Sequence, residues 1–263
     1  MWFVMYTSLK GFFRDRLAHG LLVSLVFFAA IPSLSNLSMR QVTELSLTLS
    51  LSFISMLQLA LALFLGGTSL WKDIERRYTF SVLSLPLSRG RYVLGKFCAV
   101  ALFTFGVAVI LGCATWGVVT IAAAGYPPDR PVVWSNVALA IGFDACKYIL
   151  LSSLAFLLAT VSTSFFLPIL GTLALYLVGS ASQGALDYMN SAEAVKMAPL
   201  FKQTVSVLYY LIPNFSAFDL KVNAIYGIPV NAGGAALTML YGVTYLGATL
   251  SLAILCFSRR EMK

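Results

Sequence analysis

The feature that most constrains this chain is a series of long segments with almost no charge. Leu45–Leu70, for example, contains no charged side chain in 26 residues. A bilayer core of about 30 Å needs about 20 apolar residues in a helix, and a helix satisfies its backbone hydrogen bonds internally. The sequence therefore predicts an all-α integral membrane protein with six transmembrane helices. The six runs are Leu17–Leu34, Leu45–Leu70, Tyr92–Ala123, Trp134–Val161, Phe165–Leu186 and Ala232–Phe257.

Composition supports a membrane protein and argues against several other classes. Apolar residues make up 59% of the chain and charged residues 11%, whereas soluble domains carry about 25% charged residues. We expect one transmembrane domain over residues 1–263. The net charge of +8 is typical of contact with anionic lipid, and no basic block has the length of a nucleic-acid site. With one histidine, His19, and four scattered cysteines, we expect no catalytic residues, metal or cofactor.

One apolar run carries a conflicting signal. The stretch LSLTLSLS, Leu45–Ser52, alternates with period two, which is the pattern of a strand. A lone strand in lipid would leave its backbone groups without hydrogen bonds, so we expect a helix here. Its serine and threonine side chains then face protein or bond back to the helix backbone.

Two segments outside the long runs are amphipathic. In residues 1–16, apolar side chains recur at spacings of 4, 3 and 4, which favours a helix lying on the membrane surface. In residues 187–231, a second apolar stripe is bracketed by Pro199 and Pro213, so a further helix is expected before the last span. The stripes are Trp2, Tyr6, Leu9 and Phe13, and Phe201, Val205, Leu208 and Ile212.

The distribution of lysine and arginine predicts the orientation. With six spans, 12 of the 18 basic residues fall on one side, at the two termini and in Trp71–Lys96, and five fall on the other. Cytoplasmic loops carry the excess of positive charge. Both termini and Trp71–Lys96 are therefore expected in the cytoplasm, and residues 187–231 outside it.

The segment Trp71–Lys96 holds 8 of the 28 charged residues and also has a helical pattern. Its apolar residues recur at spacings of 4, 4 and 3, which predicts a short amphipathic helix. Two roles fit this helix: docking in the groove of a partner, so that force passes into the membrane, or simply connecting two spans. The stripe consists of Ile74, Tyr78, Val82 and Leu85.

Asp144 and Lys147 are the most unusual residues within a run. They are three positions apart, on one helix face, and near the middle of Trp134–Val161. Charge at that depth is costly unless it is paired or hydrated. Two interpretations stay open: a polar site or gate along a substrate route, and a self-neutralising pair facing the bundle interior. Gln58 and Gln183 are weaker intramembrane polar candidates.

A resemblance adds to these patterns. The stretch IERRYTFSVLSLPLSRGRYVLGKF resembles the cytoplasmic loop of ABC-2-type transporter permeases, especially the branch with the permease of the nitrous oxide reductase maturation system. YYLIPNFSAFD, Tyr209–Asp219, resembles the segment before the last helix of that family. The specific motifs cover about 35 residues. The matching loop residues are Glu75, Thr79, Leu83, Ser84, Pro86, Ser88, Arg89, Tyr92, Gly95 and Lys96.

The resemblance implies a permease subunit in a bacterial cytoplasmic membrane, with the type V exporter-like architecture. That architecture has an N-terminal interfacial helix, a cytoplasmic coupling helix within 71–91 and external helices before the last span. Its expected partners are an ABC ATPase subunit, a second permease copy in a homodimer, and in some systems a periplasmic protein. The residues expected to couple to the ATPase are Ile74, Glu75, Arg76, Arg77, Tyr78, Thr79 and Leu85.

The chain is not expected to hydrolyse ATP itself, because it has no GxxxxGK[ST] phosphate loop. A secondary transporter that works without ATP is the alternative. Such carriers have broken helices and several buried acids, whereas Asp144 is the only acid deep in a run.

Overall fold

A computed structural model describes residues 1–14, 16–35, 41–75, 88–126, 128, 130–190 and 199–260. Within these ranges all regular structure is helical and there is no strand, which confirms the all-α prediction. The α-helices are α1 (Trp2–Arg14), α2 (Arg16–Ser35), α3 (Val42–Leu61), α4 (Gly67–Glu75), α5 (Arg89–Gly125), α6 (Trp134–Val161), α7 (Phe166–Met189), α8 (Pro199–Leu211), α9 (Lys221–Tyr226) and α10 (Ala232–Arg259).

Helices α3 and α4 form one continuous element, Val42–Glu75, joined by a π-helical turn at Ala62–Gly66. The stretch with strand-like alternation lies within α3, so the helix prediction is confirmed. Two of its four hydroxyls bond back to the backbone, as expected: Ser46 Oγ donates to the carbonyl of Val42 and Thr48 Oγ1 to that of Glu44, both at 2.8 Å. These bonds satisfy the hydroxyls locally in an apolar setting.

Five elements are long and apolar enough to cross a bilayer, which indicates a multi-pass membrane protein. The first predicted run, Leu17–Leu34, lies in the 20-residue helix α2, whose Val23–Ser35 part is a shorter apolar helix. A sixth span therefore stays a prediction. The five elements are Val42–Glu75, Arg89–Gly125, Trp134–Val161, Phe166–Met189 and Ala232–Arg259.

Contacts between helix ends define two ends of the bundle. At one, which we call the loop end, Arg260 donates to the carbonyl of Thr160 at 2.7 Å. At the opposite end, Asn136 donates to the carbonyl of Ile228 at 2.9 Å. Helices α6 and α10 therefore run in the same direction. Arg89, at the start of α5, donates to the carbonyl of Ser258, and Asp73 of α4 pairs with Lys96 of α5, so the residues that flank the 76–87 segment lie at the loop end with the C-terminal end of α10.

Helix α6 lies at the centre of this arrangement. It packs against α3, α4, α5, α7, α9 and α10. Ala145, Ala155 and Ala159 are fully buried, and such small residues let neighbouring helices approach closely. Phe156 meets Phe97 of α5 edge-on, with ring centroids 5.5 Å apart. Side chains on α6 are therefore surrounded by protein along most of its length.

Helix α1 packs along the outside of α5. A Cβ on Gly95 would lie 3.0 Å from the carbonyl oxygen of Met1, so the two backbones approach closely. Further along, Phe12 and Phe13 contact Phe103 edge-on, at centroid distances of 5.7 and 5.4 Å. The helix predicted for residues 1–16 is present; its position at a membrane surface stays a prediction.

The helices extend into both of the segments that the sequence predicts as loops. The loop predicted at 71–91 overlaps the end of α4 and the start of α5, and residues 76–87 lie outside the described residues. In the segment predicted at 187–231, α7 continues to Met189, and α8, a 3₁₀ turn at Phe215–Phe218 and α9 follow. Helices before the last span are thus present.

Candidate functional site

The predicted intramembrane pair forms an ion pair in the interior of the bundle. Lys147 Nζ lies 2.6 Å from Asp144 Oδ1, and the two side chains are 5% and 8% exposed. Ser55 of α3 donates to the other carboxylate oxygen, Oδ2, at 2.8 Å. Both oxygens of the carboxylate are therefore occupied, and the two charges neutralise each other where neither is solvated.

Aromatic side chains complete the surroundings of the lysine. The ammonium of Lys147 lies 4.6 Å from the ring centroid of Tyr148, within the range of a cation–π interaction. The hydroxyl of Tyr148 in turn lies 3.4 Å from that of Tyr176 on α7. The cluster thus connects α3, α6 and α7 near the middle of α6.

A second polar layer lies between α3 and α5. Gln58 is fully buried and donates from Nε2 to the carbonyl of Thr104 at 3.0 Å. Its Oε1 and the hydroxyls of Thr104 and Ser50 are buried and form no hydrogen bond with the described residues. Buried acceptors and donors without partners are costly, so this layer is the least satisfied part of the described interior.

The π-helical turn lies between these polar groups and the loop end. A Cβ on Gly66 would meet the Cα of Ser152 at 3.2 Å, so α6 passes directly against the turn. On the next residue, a Cβ on Gly67 would lie 3.5 Å from the backbone of Pro168 in α7. Single π turns in helices are often found at functional sites. Here the turn separates the half that contacts Asp144 from the half that leads to residues 76–87.

A second, partly buried ion pair lies at the loop end, and the sequence did not point to it. Asp73, in the last turn of α4, pairs with Lys96 of α5 through Oδ2, which also accepts from the Tyr92 hydroxyl. Lys96 Nζ donates as well to the carbonyl of Ser69 at 2.6 Å. Because the two helices flank residues 76–87, these bonds tie together both sides of that segment. We call Asp73, Tyr92, Lys96 and Ser69 the clamp.

The clamp is supported by α10. The ring of Tyr92 stacks on that of Phe257, with centroids 6.1 Å apart and planes 25° apart. Arg89, in the first turn of α5, donates to the carbonyl of Ser258 at 2.8 Å. These contacts place the C-terminal end of α10 against the start of α5, so the clamp is braced from a third helix.

Of the predicted coupling residues, Ile74 and Glu75 fall within the described residues. Ile74 is half-buried against the core and Glu75 is exposed, both in the last turn of α4. The remaining predicted residues lie outside the described residues: Arg76, Arg77, Tyr78, Thr79 and Leu85.

The four intramembrane candidates do not form one site. Gln58 is part of α3 and Asp144 contacts α3 through Ser55, whereas Gln183 lies at the opposite end of the bundle, near the end of α7. It donates to Asp187 at 3.0 Å and accepts from Asn214 at 2.8 Å and from Tyr209 at 3.3 Å. Gln183 therefore fastens the segment with α8 to α7.

Comparison with known proteins and a search for metal sites add no further assignment. Neither a protein-family model nor a curated protein sequence matches this chain. In the ranges that the structure describes, no group of three or more histidine, cysteine, aspartate or glutamate side chains could hold a metal ion.

Proposed function

We propose that this chain is the membrane-spanning permease subunit of an ABC transporter of the ABC-2 type. The observation that carries the proposal is the clamp, in which Asp73 of α4 binds Lys96 and Tyr92 of α5. An ATPase can move a membrane protein only through a contact that is firmly attached to the spans. The clamp supplies that attachment on both sides of the segment that resembles the coupling loop of this family.

A route from the loop to the membrane interior follows from the same contacts. Displacing residues 76–87 would move α4 and α5 together, because the clamp joins them. From α4 the motion reaches the π turn, where Gly66 lies against Ser152 of α6. Helix α6 carries Asp144, which is bound to Ser55 on the far side of the turn. The turn is thus the point where α4 can change its angle to α3.

The proposal includes an orientation and partners. The loop end faces the cytoplasm of a bacterial cell and residues 187–231 face the outside, because the predicted cytoplasmic side carries 12 of the 18 lysines and arginines. Two copies of the chain pair, each touches one ABC ATPase subunit, and hydrolysis takes place on that subunit. ATP hydrolysis then drives either export of a substrate or mechanical action on a periplasmic protein.

The test is purification of the tagged chain from its native host in a mild detergent, followed by identification of the bound proteins. We expect an ABC ATPase with the parental chain and its loss with Tyr78→Ala, because truncating a buried interface anchor can cost 2 kcal/mol or more. Tyr126→Ala, an exposed tyrosine at the opposite end of α5, is the control and should retain the ATPase. Absence of any ATPase from the parental chain would overturn the proposal.

A secondary transporter is the second candidate, and the buried pair of Asp144 and Lys147 favours it. Charged residues inside a membrane commonly mark ion or substrate routes. A secondary transporter would purify alone. The Tyr78→Ala variant would then complement a strain that lacks the gene, and the double variant Asp144→Asn with Lys147→Met would not. The ABC permease predicts the reverse for Tyr78→Ala.

A further inference from the structure

An apolar groove of about 450 Å³ lies between α1, α5 and α6 on the outside of the bundle. Its volume falls within the range of ligand sites, about 300–1,000 Å³. The wall is almost wholly apolar, and Trp2, Leu102 and Phe105 are largely exposed. In a membrane protein such a surface faces lipid. The lining includes Trp2, Met5, Cys98, Ala101, Leu102 and Phe105.

Arg91 provides a cation on the face of α5 that lines the groove. Arg91 and the lining residues Cys98, Leu102 and Phe105 lie on one face of α5, because spacings of 7, 4 and 3 return to the same side of a helix. The Arg91 side chain is exposed and forms no hydrogen bond or ion pair with the described residues. Arg91 lies about two helical turns before Cys98, the nearest lining residue of α5. An apolar groove with an exposed guanidinium at that distance matches a ligand with an apolar chain and an anionic head.

The dimensions match one leaflet of a bilayer. Phe105 lies 14 positions after Arg91, a rise of about 21 Å along α5, and half of a bilayer with its headgroups is about 20–22 Å. Arg91 then lies at headgroup depth while Phe105 approaches the midplane. Trp2, at the mouth of the groove and 79% exposed, is a residue type enriched at that interface.

We propose that this groove binds an acyl chain of an anionic phospholipid whose phosphate pairs with Arg91. The apolar wall packs the chain, and the guanidinium selects the head, since arginine binds phosphate oxygens in a bidentate manner. Lipid tails are as apolar as the wall, so selectivity comes from the headgroup rather than from the apolar contact. The site requires insertion in a membrane and does not depend on an ATPase partner.

The test uses the full chain in phosphatidylcholine vesicles that contain phosphatidylglycerol with a photoreactive group on one acyl chain. After illumination, we expect labelled peptides from residues 2–5 of α1 and 98–105 of α5. Ala101→Phe fills the groove and should abolish this labelling. The control Ala248→Phe makes the same change on an exposed face of α10 and should leave it intact.

The headgroup is tested by native mass spectrometry of the protein with equal amounts of phosphatidylglycerol and phosphatidylcholine. Arg91→Gln should lower the preference for phosphatidylglycerol about fivefold, the effect of one basic residue near an anionic surface. Arg259→Gln, which removes a cation from α10, should not. The proposal fails if the parental chain retains both lipids equally, or if Ala101→Phe leaves labelling unchanged. It also fails if a thiol cross-linker joins Cys98 of two copies in vesicles, because a second copy would then cover the groove.

Discussion

The carboxylate of Asp73 and the ammonium of Lys96 meet at the loop end, on opposite sides of the segment 76–87. The side chain of Lys96 is 6% exposed and that of Asp73 is 24% exposed, so the pair is only partly shielded from water. Tyr92, one turn before Lys96, binds the same carboxylate oxygen. Two spans that are separate in sequence are thereby held at one fixed distance where the loop leaves the bundle.

We predict that Asp73→Asn destabilises the protein by about 2 kcal/mol, because it leaves the buried ammonium without a counter-charge. The double change with Lys96→Met should recover most of that loss, since no unpaired charge remains. Thermal unfolding of the purified variants in detergent measures both. If the double variant were as unstable as the single one, the pair would not be the source of the effect.

The ion pair of Asp144 and Lys147 within α6 allows the same comparison of single and double variants, which here separates a role in transport from a role in folding. Asp144→Asn should cost about 3–5 kcal/mol, because Lys147 stays buried without its partner, whereas Asp144→Asn with Lys147→Met should be close to the parental stability. Ser55→Ala removes one hydrogen bond to the carboxylate and should cost about 1.5–3 kcal/mol. Unfolding in detergent gives the three values. A double variant that is stable yet inactive in the host would assign the pair a role in transport and not only in folding.

Close packing near the opposite end of the bundle gives a third prediction. A Cβ on Gly179 would lie 2.5 Å from the carbonyl oxygen of Pro213 and 2.6 Å from Cδ2 of Phe215, whereas one on Gly184 meets nothing within 4 Å. Gly179→Ala should therefore cost about 1–3 kcal/mol from overpacking. Gly184→Ala, on the same helix, should be neutral or stabilise by up to about 1 kcal/mol. Equal unfolding temperatures for the two variants would contradict the packing of α7 against the segment that follows α8.

Sequence patterns located the helices well where length and charge decide the outcome. The run Trp134–Val161 coincides with α6 at both ends, because apolar residues predominate in it, Asp144 and Lys147 being its only charged residues, and polar or helix-breaking residues flank it. The stripe between Pro199 and Pro213 forms α8 for a related reason, since proline is tolerated in the first turn of a helix and disfavoured in its interior. Local chemistry is sufficient in both cases.

Tertiary relationships were not accessible in the same way. Asp73 and Lys96 are 23 positions apart, so no helical spacing relates them, and the topology count and the family motif that include Lys96 do not indicate its partner. Ser55 is an ordinary residue in an apolar run until α6 brings Asp144 against it. Gln183 was interpreted as a polar group within a span, but its partners come from a segment that folds back onto α7. The π turn has no periodicity signal, and its close contact with Ser152 involves a residue 86 positions away in the sequence.

The orientation of the bundle gives the last prediction. Ser88 precedes α5 at the loop end and Asn190 follows α7 at the opposite end, and both are exposed. In a variant without the native cysteines, a cysteine at Ser88 should react with a membrane-impermeant maleimide only after the cells are opened. A cysteine at Asn190 should react in spheroplasts whose cytoplasmic membrane is intact, because the proposed orientation, with the excess of lysine and arginine inside, places it on the outer side. Labelling of both positions from the same side would contradict an odd number of spans between them and, with it, the placement of α5, α6 and α7 across the membrane.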